Sequence, residues 1–363
     1  MNPKLIINLK KLAHNGRVLA EMCRSHGISL GAVTKVFCAE PKMVETLAKL
    51  PIEYFADSRM ENIMAYPSGI TQKTMLLRLP SPSYAERTVA NCDISLNSEI
   101  HTLDRLNQAA EKLGKTHGII LMVDLGDLRE GIFYEDAPKI NETAKFVLSC
   151  GNLELMGIGT NLTCYGGVLP TQENLDKLVK MADNLRRDLR AALPIVSGGN
   201  SSSLHLLEKG EMPRGINHLR LGEALVCGKE TAFGETFAGL MTDVVTLQAE
   251  IIEIGQKPSM PVGRTNINAF GEVVSFEDEG IQNRGILAVG RQDIGTSELV
   301  CHDPAVEIIG SSSDHLIVNL TDTSYKVGDT LTFSLSYGGI LAGFTSKYVD
   351  KIFIEEDADC QNL

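Results

Sequence analysis

Short apolar runs alternate with longer amphipathic segments through the first two thirds of the chain. The runs predict strands over 30–36, 54–56, 74–78, 94–96, 118–123, 154–159, 194–196 and 219–225, and helical periodicity fills 42–50, 98–113, 137–150 and 173–192. Strands that alternate with helices imply right-handed βαβ units and a buried parallel sheet. Eight such units fit an α/β fold of the (β/α)8 TIM-like barrel type, which typically takes about 250 residues. An open doubly wound sheet is the competing architecture, but no GxGxxG follows the first strand.

The texture changes after Gly228. Runs at 244–254, 285–289, 305–309, 316–320 and 330–335 are rich in Val, Ile and Thr, with turn residues and no comparable helical stretch between them. That pattern predicts a β-rich C-terminal domain. The expected division is an N-terminal strand at 1–10 joining the C-terminal domain, a barrel over 11–228 and the β-rich domain over 229–363, with the acidic tail at 355–359 solvated and mobile. A chain of 363 residues makes two domains the default.

Charge and cysteine usage narrow the function. A net charge of -12 argues against nucleic acid, because nothing forms a basic stripe that could neutralise phosphates. A small-molecule ligand is favoured. The first residues lack the apolar core of a signal peptide and no apolar run reaches spanning length, so no membrane partner is expected. The eight cysteines are scattered without a Cys-x-x-Cys pair, which points to reduced thiols and a cytoplasmic location.

In a barrel of this kind the active site is built at the carboxyl ends of the strands. The first strand end carries Lys35, in Gly31-Ala-Val-Thr-Lys35. Burial disfavours a lysine's charge, so an amine flanked by apolar residues is either a snorkelling side chain or a desolvated nucleophile able to form a Schiff base. The seventh strand is followed by Ser197-Gly-Gly-Asn-Ser-Ser-Ser203, a Gly/Ser run whose N–H groups can cradle an anion. The eighth carries Arg220-Leu-Gly-Glu223. Loops after strands seven and eight frequently bind phosphate in barrels. Together with Lys35 they point to a phosphate-bearing cofactor.

These residues, in this order, resemble the alanine racemase family of fold-type III pyridoxal-phosphate enzymes over nearly the whole chain. The resemblance is carried by the opening segment 7–15, Val33-Thr-Lys-Val36, the segment from Val123 to Gly131 with its Arg129, Gly198-Gly-Asn-Ser-Ser202, Leu219-Arg-Leu-Gly222 and Ser336-Tyr337. Ala56-Asp-Ser-Arg59, Gly290-Arg-Gln-Asp293 and Ser311-Ser-Ser-Asp-His315 place it closest to the subgroup of predicted amino-acid racemases that includes ornithine racemase. The resemblance implies pyridoxal 5'-phosphate as cofactor, held as a Schiff base on Lys35, which also moves the substrate α-proton on one face. It implies that Asn200, Ser201 and the backbone around Gly222 and Glu223 bind the phosphate with help from Tyr337. Arg129 would approach the ring hydroxyl and Arg220 the pyridine nitrogen. An arginine keeps its proton, with a pKa above about 12, so at that place it donates a hydrogen bond and suits proton transfer at Cα better than transamination. A structural ion pair between Arg220 and Glu223 or another carboxylate is the bland alternative.

Three positions depart from the family. Asn161 stands where a histidine stacks on the ring. Met122 stands where a carbamylated lysine is common, which leaves Arg129 to be oriented by Asp124 or Asp127. The tyrosine that a partner subunit donates as second proton-transfer group is replaced by Arg291-Gln-Asp293. Asp293 is the choice for that second acid–base group, with Cys301, His302 and His315 as the other candidates. Loss of the tyrosine argues against alanine as substrate. A diamino acid would need a carboxylate for its distal ammonium, and Glu40, Asp57, Glu99 and Asp293 are candidates. The pairs His302–Asp303 and Asp314–His315 lack a third ligand, so no metal is expected. The expected protein is a racemase of a basic amino acid such as ornithine, working as a homodimer with shared active sites. Alanine racemase proper, an aldolase or decarboxylase on the same cofactor, or a non-catalytic pyridoxal-phosphate homeostasis protein are the alternatives. The second domain speaks against the last.

Overall fold

The structure, a computed structural model, describes residues 2–355. The chain opens with β1 (Lys4–Asn8) and α1 (Leu9–Ser25). There follow β2 (Ser29–Val33), α2 (Pro41–Ala48), β3 (Tyr54–Asp57), α3 (Met60–Met64), β4 (Lys73–Leu76), α4 (Ala85–Asn91), β5 (Ile94–Asn97) and α5 (Ile100–Leu113). Next come β6 (His117–Asp124), β7 (Ile132–Phe133), α6 (Ala137–Ser149), β8 (Leu153–Gly159), α7 (Gln172–Leu189), β9 (Ile195–Ser197), α8 (Leu204–Glu208), β10 (His218–Leu221) and α9 (Glu223–Cys227). Eight of these strands pair in parallel in the order β5-β4-β3-β2-β10-β9-β8-β6, and pairing of β5 with β6 closes the ring. The fold is the expected barrel.

Two apolar layers explain the strand patterns. Val33, Ala56, Met75, Ile94, Leu96, Ile120, Met122 and Ile195 fill the lumen. Ile119, Leu121 and Val123 face the other way and meet Leu103 and Leu106 of α5, Ala144 of α6 and Leu178 of α7. All eight residues of β6 are therefore buried, which is why a parallel strand reads as an unbroken apolar run rather than an alternation. Helix ends carry local signals: α7 opens with a Thr171/Asn174 capping box, and α5 stops at left-handed Gly114.

Two barrel strands, β2 and β10, stop three or more residues short of the expected ends. β2 stops at Val33, so Lys35 opens a short 3-10 turn in which Val36 and Phe37 are buried. β10 stops at Leu221, and Ala224 to Cys227 are buried in α9. Buried apolar residues continue past both strands, and apolarity alone does not separate a strand from a buried turn or helix.

Residues up to Lys10 and from Asp243 onward form one compact unit, and Lys11–Thr242 the other. The segment 229–242 stays with the barrel because Asn15 grips it. Asn15 Nδ2 donates to Leu225 O at 3.1 Å and Met241 O at 2.8 Å, and its Oδ1 accepts from Met241 N at 2.7 Å. The other unit contains β11 (Val245–Pro258), β12 (Ile281–Leu287), β13 (Leu299–Cys301), β14 (Glu307–Ser311), β15 (Leu316–Asn319), β16 (Thr330–Leu335), α10 (Tyr337–Thr345) and β17 (Asp350–Ile354). Its antiparallel sheet runs β13-β16-β11-β12-β15-β14, and β1 joins it by pairing antiparallel with β11 and parallel with β17. Helix α10 was not expected from the strand-rich texture. Ser336 caps it, accepting from Gly339 N at 3.2 Å. Of the acidic tail, Glu355 is exposed and the remainder lies outside the described residues. Among the described residues no helix is long and apolar enough to cross a membrane.

Candidate active site

The carboxyl ends of β2 and β10 are neighbours. Ser29 to Ala32 stand in register with His218 to Leu221, which brings Gly222 beside Val33. A Cβ at Gly222 would lie 3.0 Å from Val33 Cβ, so glycine lets the two chain ends pass. Lys35, half-buried, and the Gly222–Glu223 turn therefore leave the barrel from adjacent strands. Burial pushes the Glu223 carboxyl above its usual range, opposed by the charges of Lys229 and Lys35.

Arg220 lies inside the barrel mouth and is 2% exposed. One guanidinium nitrogen donates to Ser197 Oγ; the other donates to Thr160 O at 2.7 Å and Asn161 Oδ1 at 2.6 Å. Burial pulls its pKa down to about 10, with the Glu130 charge working against the shift, so it stays protonated at neutral pH. Ser197 Oγ also lies 2.7 Å from His218 Nδ1, closing a hydrogen bond between them. Burial and the Arg220 charge press His218 down to about 3. It is neutral.

A second link leads outward. Asn161 Nδ2 donates to Glu130 Oε1, and Glu130 pairs with Arg129 (Nε to Oε2 2.5 Å, Nη2 to Oε1 2.8 Å). One hydrogen-bonded chain thus runs Arg129–Glu130–Asn161–Arg220–Ser197–His218. The expected orienting groups for Arg129 are used elsewhere. Asp124 Oδ1 accepts from Gly126 N at 2.8 Å and Leu128 N at 3.1 Å. Asp127 accepts from Cys164, Tyr165 and Val168 N–H at 2.9 to 3.1 Å. Sequence reasoning missed Glu130, although it follows Arg129 directly. Arg220 has no ion pair with Glu223; its hydrogen bonds go to neutral acceptors.

The turn after β9 forms the other side of the mouth. Asn200 Oδ1 accepts from Ser202 N at 2.8 Å, and its Nδ2 donates to Leu162 O at 3.1 Å. Gly199 takes a φ of 109°, open to glycine. Ser201 Oγ accepts from Ala224 N at 3.3 Å, tying this turn to the one after β10. Ser202 Oγ, Thr160 Oγ1 and His218 Nε2 are buried with no protein partner. Buried polar atoms are ordinarily satisfied by water or a ligand; Thr160 and Ser202 follow β8 and β9, while His218 Nε2 faces Gly31 of β2.

Met122 is fully buried in the lumen. Asp57 does not qualify as partner of a substrate ammonium: it is fully buried, and both its oxygens accept from Thr34, Arg59 and Asn62. Glu40 is half-buried and Glu99 exposed.

In the β-rich unit, Tyr337 is the first residue of α10, and Glu298 accepts from Ser336 Oγ and from Gly339 N at 3.1 Å. Asp293 Oδ1 accepts from Ser346 Oγ at 3.3 Å. The two subgroup motifs of this unit meet: Arg291 N donates to Ser312 O at 2.9 Å and Gln292 N to Ser313 O at 3.0 Å. A Cβ at Gly290 would lie 2.2 Å from Ser313 O, so no larger residue fits. His302 Nε2 lies 2.9 Å from Ser334 Oγ, and burial raises the Cys301 thiol. Among the described residues no three His, Cys, Asp or Glu side chains gather as a metal site.

Residues 7–230 match the family described as alanine racemase, N-terminal domain. The chain belongs to the alanine racemase family. It is 47% identical over 353 residues to the ornithine racemase of Acetoanaerobium sticklandii, covering 97% of this chain and 99% of that protein. It is 38% identical to the lysine racemase of Thermotoga maritima, covering 97% and 98%. Its fold matches the alanine racemase of Bartonella henselae with covalently bound pyridoxal phosphate, with a TM-score of 0.71, 18% identity and coverage of 98% and 100%.

Proposed function

We propose that this chain is a pyridoxal-phosphate-dependent racemase of a basic amino acid, ornithine first. The observation that carries the reading is the assembly at one barrel mouth of Lys35, the buried Arg220 chain and the Ser/Gly turns after β9 and β10. Two relatives named as racemases of ornithine and lysine, each matched over nearly its full length, support the substrate class.

The residues fit the cofactor. A phosphate needs donors, and Ser202 Oγ and Thr160 Oγ1 are buried hydroxyls with no partner within the protein. The first N–H groups of a helical turn have no partner within it; Ser202 N and Ala224 N are taken by Asn200 Oδ1 and Ser201 Oγ, which leaves the N–H groups of Ser201 and Glu223 to meet an anion. Asn200, Ser201, Gly222 and Glu223 would hold the phosphate, and Arg220 and Arg129 the ring nitrogen and ring oxygen. Asn161 keeps those two arginines in one chain. Family resemblance adds Tyr337 for the phosphate, and Asp293 is the choice for the second acid–base group on chemical grounds, since a carboxylate can take and return a proton. When bound, the cofactor supplies an electron sink that acidifies the substrate Cα–H. Lys35 takes or returns the proton at Cα on one face, and Asp293 serves the other. Arg220, protonated throughout, offers a hydrogen bond and no proton, so proton return to Cα is favoured.

The same reading makes the protein a homodimer with shared sites in a cytoplasm, the latter supported by described cysteines that form no disulfide. A panel of L-amino acids in deuterated water tests the function. L-Ornithine should invert and gain deuterium at Cα. Release of carbon dioxide or an aldehyde, or no exchange with any amino acid, would overturn it.

A further inference from the structure

The Lys35 turn stands on a buried polar network outside the barrel lumen. Strand alternation sends Tyr54 and Ala56 of β3 toward the lumen cluster and Phe55 and Asp57 outward. Val33, the last residue of β2, faces the lumen, and Thr34, which opens the following turn just before Lys35, points its side chain outward to Asp57. Thr34 and Asp57 are both fully buried. Thr34 Oγ1 donates to Asp57 Oδ2 at 2.6 Å, Arg59 N donates to Oδ1 at 2.8 Å, and Asn62 Nδ2 reaches both oxygens at 3.1 Å. Donors converge on both oxygens, which fits the ionised form. With its one proton committed to Asp57, Thr34 Oγ1 accepts from the Tyr66 hydroxyl at 2.9 Å.

The main chain continues the anchor. Thr34 O accepts from Phe37 N and Ala39 N, both at 3.2 Å. These bonds close a turn in which Cys38 and Ala39 hold φ values of 50° and 54°. Left-handed backbone at a non-glycine residue costs about 1–3 kcal/mol and persists only where the surroundings impose it. Lys35 lies between the anchored Thr34 and this strained pair.

We propose that Thr34, held by Asp57 and Tyr66, is the positioning group that aims the Lys35 amine. The inference rests on Lys35 being the cofactor lysine. In attachment, Lys35 Nζ bonds to the aldehyde carbon of pyridoxal phosphate, the carbon–oxygen bond breaks, and both amine protons leave with that oxygen as water. An amine held on the line of attack reacts faster than one free to swing.

The full chain, stripped of cofactor, separates aiming from simple folding when two probes are used. Pyridoxine phosphate, with an alcohol in place of the aldehyde, reads the non-covalent seat. Pyridoxal phosphate reads attachment, through visible absorbance and borohydride fixation at Lys35. Thr34→Val keeps the shape and removes the hydroxyl; it should slow attachment about tenfold and leave the Kd of pyridoxine phosphate unchanged. Thr34→Ser should recover the wild-type rate. Tyr66→Phe removes one donor and keeps the ring against Phe55; it should slow attachment by a smaller factor, and it tests the idea even where Thr34→Val does not fold. Wild-type rates in these variants would overturn the inference, as would proportional weakening of both probes. A wild-type chain that never attaches pyridoxal phosphate at Lys35 overturns the cofactor reading itself, and this inference with it.

Discussion

The two arcs of the barrel mouth hold their functional groups in opposite ways. On the arc of β8, β9 and β10, the groups inside the mouth bond to one another: Arg129, Glu130, Asn161, Arg220, Ser197 and His218 form one chain. On the arc of β2 and β3, the main chain leading into Lys35 is secured from the outer layer through Thr34 and Asp57. A buried charge must keep its partners in any state, whereas a nucleophile needs its main chain held in place. The difference follows from what each group has to do.

Removing Lys35 is the largest expected break. Lys35→Ala should cut racemisation by about 10³-fold with little change in denaturation, because the outer network stays whole. Loss of the fold in this variant would contradict the separation of the two arcs. Removing Arg220 should behave in the reverse sense, with stability lost along with activity. Arg220→Met leaves Asn161, Ser197 and Thr160 O without their buried donor and should cost about 3 kcal/mol in urea denaturation. A smaller step is expected for Glu130→Gln, which cannot serve Arg129 and Asn161 as a charged acceptor. The Kd of pyridoxal phosphate should rise about tenfold, the scale of one charged hydrogen bond.

The arc of β10 also has a pH signature. His218 is held near 3 in the fold against 6.5 for the free group, and His117 near 4. Both are buried neutral, so the unfolded chain takes up these protons first as pH falls. Their contribution is complete above about pH 6.5 and is lost progressively below it, at about 1.4 kcal/mol per pH unit for each proton. His218→Gln should remove one proton from that slope in denaturation curves recorded between pH 6.5 and 4. The smallest effect belongs to the outer helices. Glu86→Gln, breaking an exposed pair with Lys112, should shift stability by less than about 0.5 kcal/mol.

The barrel was legible because its strands are buried on both faces and each is punctuated by a helix. Helices of five residues, such as α3, α8 and α9, carry too little period to be read. Helix α10 was hidden by its glycines, which serve packing: a Cβ at Gly339 would lie 3.0 Å from Glu298 Cβ, and one at Gly343 3.0 Å from Leu5 Cδ1. In the site, Lys35, Asn200, Ser201 and Arg220 were legible from their places at strand ends. The links between them were not. Glu130 reaches Arg220 only through Asn161, from a different loop. Asp57, also at a strand end, faces outward by alternation and anchors Thr34 instead of meeting a substrate.

The central claim is that Lys35 carries the cofactor of a racemase. Borohydride reduction of the purified holoenzyme, followed by mass mapping of its peptides, tests it most directly. The account predicts one modified peptide, bearing reduced pyridoxal phosphate on Lys35 within Gly31-Ala-Val-Thr-Lys35. Modification at any other lysine, or none at all, would contradict it.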